Sequence, residues 1–133
     1  IRATAFLWAL ALGLLAVAVL GIKFLLRRPR PEGDWGSIYR VTDPHSFPSG
    51  HAARAMTIAF LALQFQNPVW FFGLVLWAVL VGFSRVALRL HYFSDILVGW
   101  LIGALSGFAA LKFLPDLLQK LFTVFPFLNW VIK

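Results

Sequence analysis

Apolar residues run along this chain in four blocks, each long enough for a helix, with polar or turn-forming stretches between them. The first extends from Ala3 to Leu26, and as a helix it reaches about 36 Å, enough to cross a hydrocarbon layer about 30 Å thick. Residues 27–47, RRPRPEGDWGSIYRVTDPHSF, collect three prolines, two glycines and seven of the chain's 17 charged residues, which predicts a loop outside the hydrocarbon. A second span opens at Ser49 and ends near Phe65, where Gln66, Asn67 and Pro68 predict a tight reversal. The third runs from Val69 to Leu88 and the fourth from Tyr92 to Phe113. Within the fourth, Gly99, Gly103 and Gly107 recur every four residues, a small-residue stripe against which another helix packs closely. After Pro115 the tail DLLQKLFTVFPFLNWVIK is apolar, interrupted by Pro126 and edged by Trp130 and Lys133, so it predicts an interfacial helix or a short fifth span. The pattern as a whole predicts an all-α integral membrane bundle, one domain over residues 1–133, with four transmembrane helices plus that C-terminal element.

Composition agrees with the pattern. Of 133 residues, 61% are hydrophobic and 13% charged, where a soluble domain carries about 25% charged residues. The first block is a retained span rather than a signal peptide, because no small-residue cleavage site follows it; Lys23 and RRPRP do. Without cysteine, no disulfide framework, thiolate metal site or cysteine nucleophile is open to this chain. The net charge of +7 suits anionic head groups or phosphate. No nucleic-acid partner is expected, since no basic run is interleaved with exposed aromatics.

Threading the spans alternately through a bilayer brings the polar residues to one face. Lys23 closes span one and Arg30 follows it; Ser49, Gly50 and His51 open span two; Ser84 and Arg85 end span three; His91 and Asp95 begin span four. Ionisable residues at span ends are functional candidates because burying them is costly. Singly each has a plain explanation: a snorkelling cation, a loop histidine, or a first-turn acid favoured by the helix dipole. Together they form a chemical set. Ser49 is an N-cap residue, Gly50 permits close approach, and the first-turn amides make an anion site beside His51. Lys23, Arg30 and Arg85 can converge on that anion. His91 and Asp95, four residues apart, share a helix face, so the carboxylate can fix the imidazole tautomer and leave its other nitrogen nucleophilic. Two histidines in different environments within a cationic cradle describe phosphoryl transfer without metal or cofactor. A metal-dependent alternative has only Glu32, Asp34, Asp43 and His45 to draw on, all in one loop, where a hard cation wants several convergent oxygens.

These residues also resemble the type 2 phosphatidic acid phosphatases, a family of integral membrane lipid phosphatases. KFLLRRPRP, from Lys23 to Pro31, matches the pattern K-x6-RP; PSGH matches at Pro48 to His51; SRVALRLHYFSD, from Ser84 to Asp95, matches SR-x5-H-x3-D. The resemblance covers about residues 3–113 and implies a phosphohistidine mechanism. On it, His91 is the nucleophile, Asp95 its partner and His51 the acid for the leaving oxygen, with Lys23, Arg30, Ser49, Gly50 and Arg85 holding the phosphoryl group. The division of labour between the two histidines comes chiefly from the family. Members commonly have six spans, so one or two helices are expected upstream of Ile1. Arg54 and Arg89 are not motif positions; their spacing from His51 and Arg85 makes them candidate head-group contacts for a substrate with more than one phosphate.

The resemblance implies a phosphorylated lipid substrate: phosphatidylglycerol phosphate, undecaprenyl pyrophosphate, phosphatidic acid or the 1-phosphate of lipid A. Counting cations puts the motif face in the cytoplasm. Because phosphate accounts for several of those cations, and similar bacterial enzymes open outward, the expectation is a bacterial inner membrane protein with its site on the outer, periplasmic face. Vanadium-dependent haloperoxidases share this type of site, but the spanning helices argue against that activity. Two readings of other classes stand beside the enzyme. An anion channel or transporter subunit would need polar residues through the membrane depth, and a non-catalytic lipid-binding protein would not require the His91–Asp95 spacing.

Overall fold

The computed structural model describes residues 2–33 and 43–126. Asp34, Arg40, Trp130 and Lys133 lie outside that range. The described chain is mainly helical: α1 (Arg2–Leu26), α2 (Gly50–Leu61), a 3-10 turn (Ala62–Phe65), α3 (Pro68–Ala87) and α4 (Phe93–Val124). Among the described residues, extended pairing is confined to one antiparallel bridge, Pro29 with His45.

Three helices, α1, α3 and α4, are long and apolar enough to cross a membrane, one fewer than the four predicted. The second predicted span falls short because α2 has 12 residues and its 3-10 continuation four, about 26 Å together. Gln66 ends it in the left-handed region at φ 53°. Asn67 then caps α3 by accepting the Val69 N–H at 3.0 Å, and Pro68 takes the first helical position, where its missing donor is harmless. What α2 lacks in length it makes up in burial: Ala52, Ala53, Ala55, Met56, Thr57, Ala59 and Leu61 are all buried.

The C-terminal element is also different from the prediction. No separate interfacial helix or fifth span starts at Pro115; α4 runs unbroken through it to Val124. The reason lies in the buried stripe. Gly99, Gly103, Gly107, Ala110, Leu114, Leu118 and Phe122 continue one face past the proline, and the last four pack with Leu7 and Ala11 of α1. Burying the large side chains around and beyond the proline, at about 1.5–3 kcal/mol each, offsets the one backbone hydrogen bond it removes.

The glycine stripe packs α4 onto α2, as its spacing predicts. A Cβ at Gly99 would stand 2.7 Å from the Ser49 carbonyl oxygen, and one at Gly103 would strike the Ala53 carbonyl. Thr57 fastens the same seam, its Oγ1 donating to the carbonyls of Ala53 and Gly103 at 3.0 Å each. Trp100 of α4 closes over Gly82 of α3 and donates to the Ala78 carbonyl at 3.1 Å.

Candidate active site

On α1 the buried residues Leu7, Ala11, Leu15 and Val19 recur every four positions, and the next member of that stripe is Lys23. The spacing carries its ammonium group to the end of the packed face instead of to lipid. Its Nζ donates to both Asp43 oxygens, at 2.8 and 3.1 Å, and to the His45 carbonyl at 2.7 Å. Beyond Leu26 the backbone enters the left-handed region at Arg27, φ 47°, and turns back across the bundle mouth. The returning chain is pinned by the Ser46 N–H on the Arg28 carbonyl at 2.9 Å and the Ser46 hydroxyl on the Pro29 carbonyl at 3.0 Å.

That turn delivers Arg30 into the interior, where it is 6% exposed. Nε donates to the Asp43 carbonyl at 2.9 Å, Nη1 donates to the Leu90 carbonyl at 2.7 Å, and Nη2 lies 2.9 Å from Asp43 Oδ2. Nη1 also lies 3.3 Å from His91 Nε2. An arginine N–H can only donate, so this contact favours the tautomer with Nε2 unprotonated and the proton on Nδ1. Nδ1 in turn lies 3.5 Å from Asp95 Oδ2, a long contact. The carboxylate is already occupied: Oδ2 accepts the Tyr92 N–H at 2.9 Å and Oδ1 accepts from Arg28 Nη1 at 2.8 Å. Asp95 thus closes the N-terminal capping box of α4 as well as facing the imidazole.

Ser49 caps α2, accepting the Ala52 N–H on its hydroxyl at 3.4 Å, while its own N–H donates to the Asp95 carbonyl at 3.0 Å. The α2 and α4 N-termini are therefore tied together. The first-turn amides of Gly50 and His51 have no intrahelical acceptor by their position. A cavity of about 140 Å³ opens beside them, lined by Gly50, His51, Arg54, Lys23, Asp43 and the last turns of α1 from Leu15 onward. His51 lies outside the three membrane-crossing helices. Burial, then the charges of Arg85 and Arg54, push its pKa down from 6.5 to about 4.

Arg85 is close enough for its charge to act on His51, and its buried Nε has no hydrogen-bond partner among the described residues. An arginine nitrogen held without an acceptor next to a helix N-terminus is a place for an anion oxygen. Arg54 lines the cavity and donates from Nε to the Gly50 carbonyl at 3.1 Å. Arg89, exposed like Arg54, sits on the left-handed turn after α3, φ 54°, and no polar contact of its side chain occurs among the described residues. The fold thus gathers Lys23, Arg30, Ser49, Gly50, His51, Arg54, Arg85, His91 and Asp95 at one mouth, while Arg89 is exposed on the turn after α3.

Two residues the motifs do not mark join the set. Asp43 bridges Lys23 and Arg30. Arg28 holds Asp95 and Ser94 and sits 4.3 Å over the Tyr92 ring. Asp43 carries a weak signal, as one of the few acids near the motif face; Arg28 carries none, because it is one cation among several in RRPR.

Known proteins resemble this chain. The PAP2 superfamily model matches residues 2–119. An undecaprenyl-diphosphatase of Bacillus subtilis is 31% identical over 129 residues, covering 91% of this chain and 62% of the relative. An undecaprenyl-diphosphatase of Sulfolobus acidocaldarius is 34% identical over 95 residues, covering 68% of this chain and 45% of the relative. Phospholipid phosphatase 2 of Mus musculus is 36% identical over 98 residues, covering 64% and 36%. The chain thus spans between about a third and three fifths of these curated relatives. No solved structure matches it significantly.

Proposed function

Since the chain belongs to the PAP2 superfamily, we propose that it is a membrane lipid phosphatase working through a phosphohistidine, with the whole catalytic set inside one membrane-embedded domain. The observation that carries this reading is the contact of Arg30 with His91 Nε2 at 3.3 Å. It marks Nε2 as the unprotonated ring nitrogen beside a cation, and a phosphoryl oxygen that takes over the Arg30 N–H frees that lone pair to attack phosphorus.

In this mechanism Lys23, Arg30 and Arg85, with the amides of Gly50 and His51 behind the Ser49 cap, hold the phosphoryl oxygens. His91 Nε2 attacks phosphorus and the bond to the lipid oxygen breaks. His51 gives its proton to that departing oxygen, and Asp95 steadies the charge that develops on His91. Water, deprotonated by His51, then cleaves the phosphorus–nitrogen bond and releases orthophosphate. With its pKa at about 4, His51 is neutral in the free protein at pH 7. The negative charge of the substrate counters Arg85 and Arg54 and raises that pKa, so the proton arrives with the substrate.

The reaction in this reading uses no metal. The substrate is an undecaprenyl diphosphate or a phospholipid phosphate, by likeness to the relatives named above, and Arg54 on the cavity wall favours the diphosphate. The placement in this reading is a bacterial inner membrane with the site on the outer face, a choice that rests on the family resemblance; the apolar helices support the membrane alone. Purified protein should release orthophosphate from a panel of lipid phosphates, keep this activity in EDTA and lose it to vanadate. Failure on every lipid phosphate, or loss in EDTA restored by magnesium, overturns the proposal.

A further inference from the structure

We propose that Asp43 is a built-in competitor for the phosphate cradle: its carboxylate occupies the two buried cations that a phosphoryl group must take over, and so weakens phosphate binding. The inference rests on the reading of this mouth as a phosphate site. Lys23 and Arg30 side chains are 4% and 0% exposed, while the Asp43 side chain is 33% exposed and lines the cavity with Gly50, His51 and Arg54. One carboxylate spans both cations, with Lys23 on Oδ1 at 2.8 Å and Arg30 on Oδ2 at 2.9 Å. Two oxygens of a phosphoryl group could make the same pair of contacts.

The carboxylate is not what positions the cations. Lys23 is also held by the His45 carbonyl at 2.7 Å, and Arg30 by the carbonyls of Asp43 and Leu90 at 2.9 and 2.7 Å. These backbone acceptors survive any change of the Asp43 side chain. What the side chain adds is a negative charge between two buried positive ones, which would otherwise be costly to bury together. A phosphoryl group supplies more charge and displaces it. When product orthophosphate leaves, the carboxylate, kept beside the cations by the Arg30 Nε bond to its own backbone carbonyl at 2.9 Å, retakes them. Asp43 therefore trades affinity for turnover.

The test is calorimetric titration of the full chain in detergent with inorganic orthophosphate. Asp43→Asn is expected to bind about tenfold tighter than the parent, the low end for a charge-assisted hydrogen bond, and to show stronger product inhibition. Asp43→Ser serves as a second neutral variant should the amide misfold, and thermal melts confirm folding of each. Asp43→Glu, which keeps the charge, is expected to stay within a few-fold of the parent. Equal or weaker binding by both neutral variants overturns the inference and makes Asp43 a brace. A parent that binds orthophosphate but hydrolyses no lipid phosphate overturns the proposed function while leaving this comparison readable; binding by neither parent nor variants overturns both.

Discussion

The contact between α2 and α4 and the contact of α1 with that pair are built differently. Along the first, glycines at 99, 103 and 107 bring backbone against backbone, leaving no room for a Cβ. Along the second, Leu7, Ala11, Leu15 and Val19 of α1 supply the buried side chains, and beside them lie cavities of about 140 Å³ at Lys23 and about 330 Å³ at Ala11, Leu15 and Leu114. The proposed site residues divide along the same line. Ser49, His51 and Asp95 stem from the tight seam, whose two helix ends share the Ser49–Asp95 hydrogen bond. Lys23 comes from α1 and Arg30 and Asp43 from the loop that follows it. Groups that must be placed within about 0.5 Å belong on rigid elements; a clamp for a mobile lipid phosphate tolerates a looser support.

The hardest blow to this comparison falls on the histidines, in alkyl and aryl phosphate assays. His91→Ala should be inactive on both, because a nucleophile is needed whatever leaves. His51→Ala should lose about 10²–10⁴-fold on a lipid alkyl phosphate and far less on an aryl phosphate, whose leaving group departs without a proton. Equal loss on both substrates for His51→Ala, with aryl activity retained by His91→Ala, reverses their roles.

A smaller effect separates the two arginines outside the motifs. Arg54→Ala should raise KM for a lipid diphosphate more than for a monoester, by about 1.5–3 kcal/mol in binding, since Arg54 lines the cavity. Arg89→Ala should change neither. Removing Arg54 also removes one of the charges that depress His51, so the His51 resonance, followed by NMR, should titrate at higher pH than in the parent, where its pKa is about 4. An unmoved titration would detach Arg54 from the site.

The smallest effect contrasts the two contacts directly. Gly103→Ala should destabilise the protein by about 1–3 kcal/mol through overpacking against Ala53 and Met56. Gly13→Ala on α1, where a Cβ meets nothing within 4 Å, should be neutral or stabilising by up to about 1 kcal/mol. Comparable melting shifts for the two would erase the distinction between tight seam and loose arm.

Much of this arrangement is legible in the order of the amino acids. Apolar periodicity marks the helices because hydrocarbon admits only runs that satisfy their own backbone. The spacing of Leu7, Ala11, Leu15, Val19 and Lys23 places a lysine at the end of a packed face, and Ser49 announces a cap by its side-chain chemistry. The motif residues meet because alternating spans bring their ends to one side. Other features are decided by packing alone. A proline reads as a break, yet α4 continues through Pro115 because Leu114, Leu118 and Phe122 find α1. A 12-residue α2 suffices because its neighbours bury it. Asp43 and Arg28 reach their partners across 20 and 67 residues of sequence, where no local period operates. Which acid neutralises which cation is set by a three-dimensional balance of charge and burial, and spacing along the chain carries no record of it.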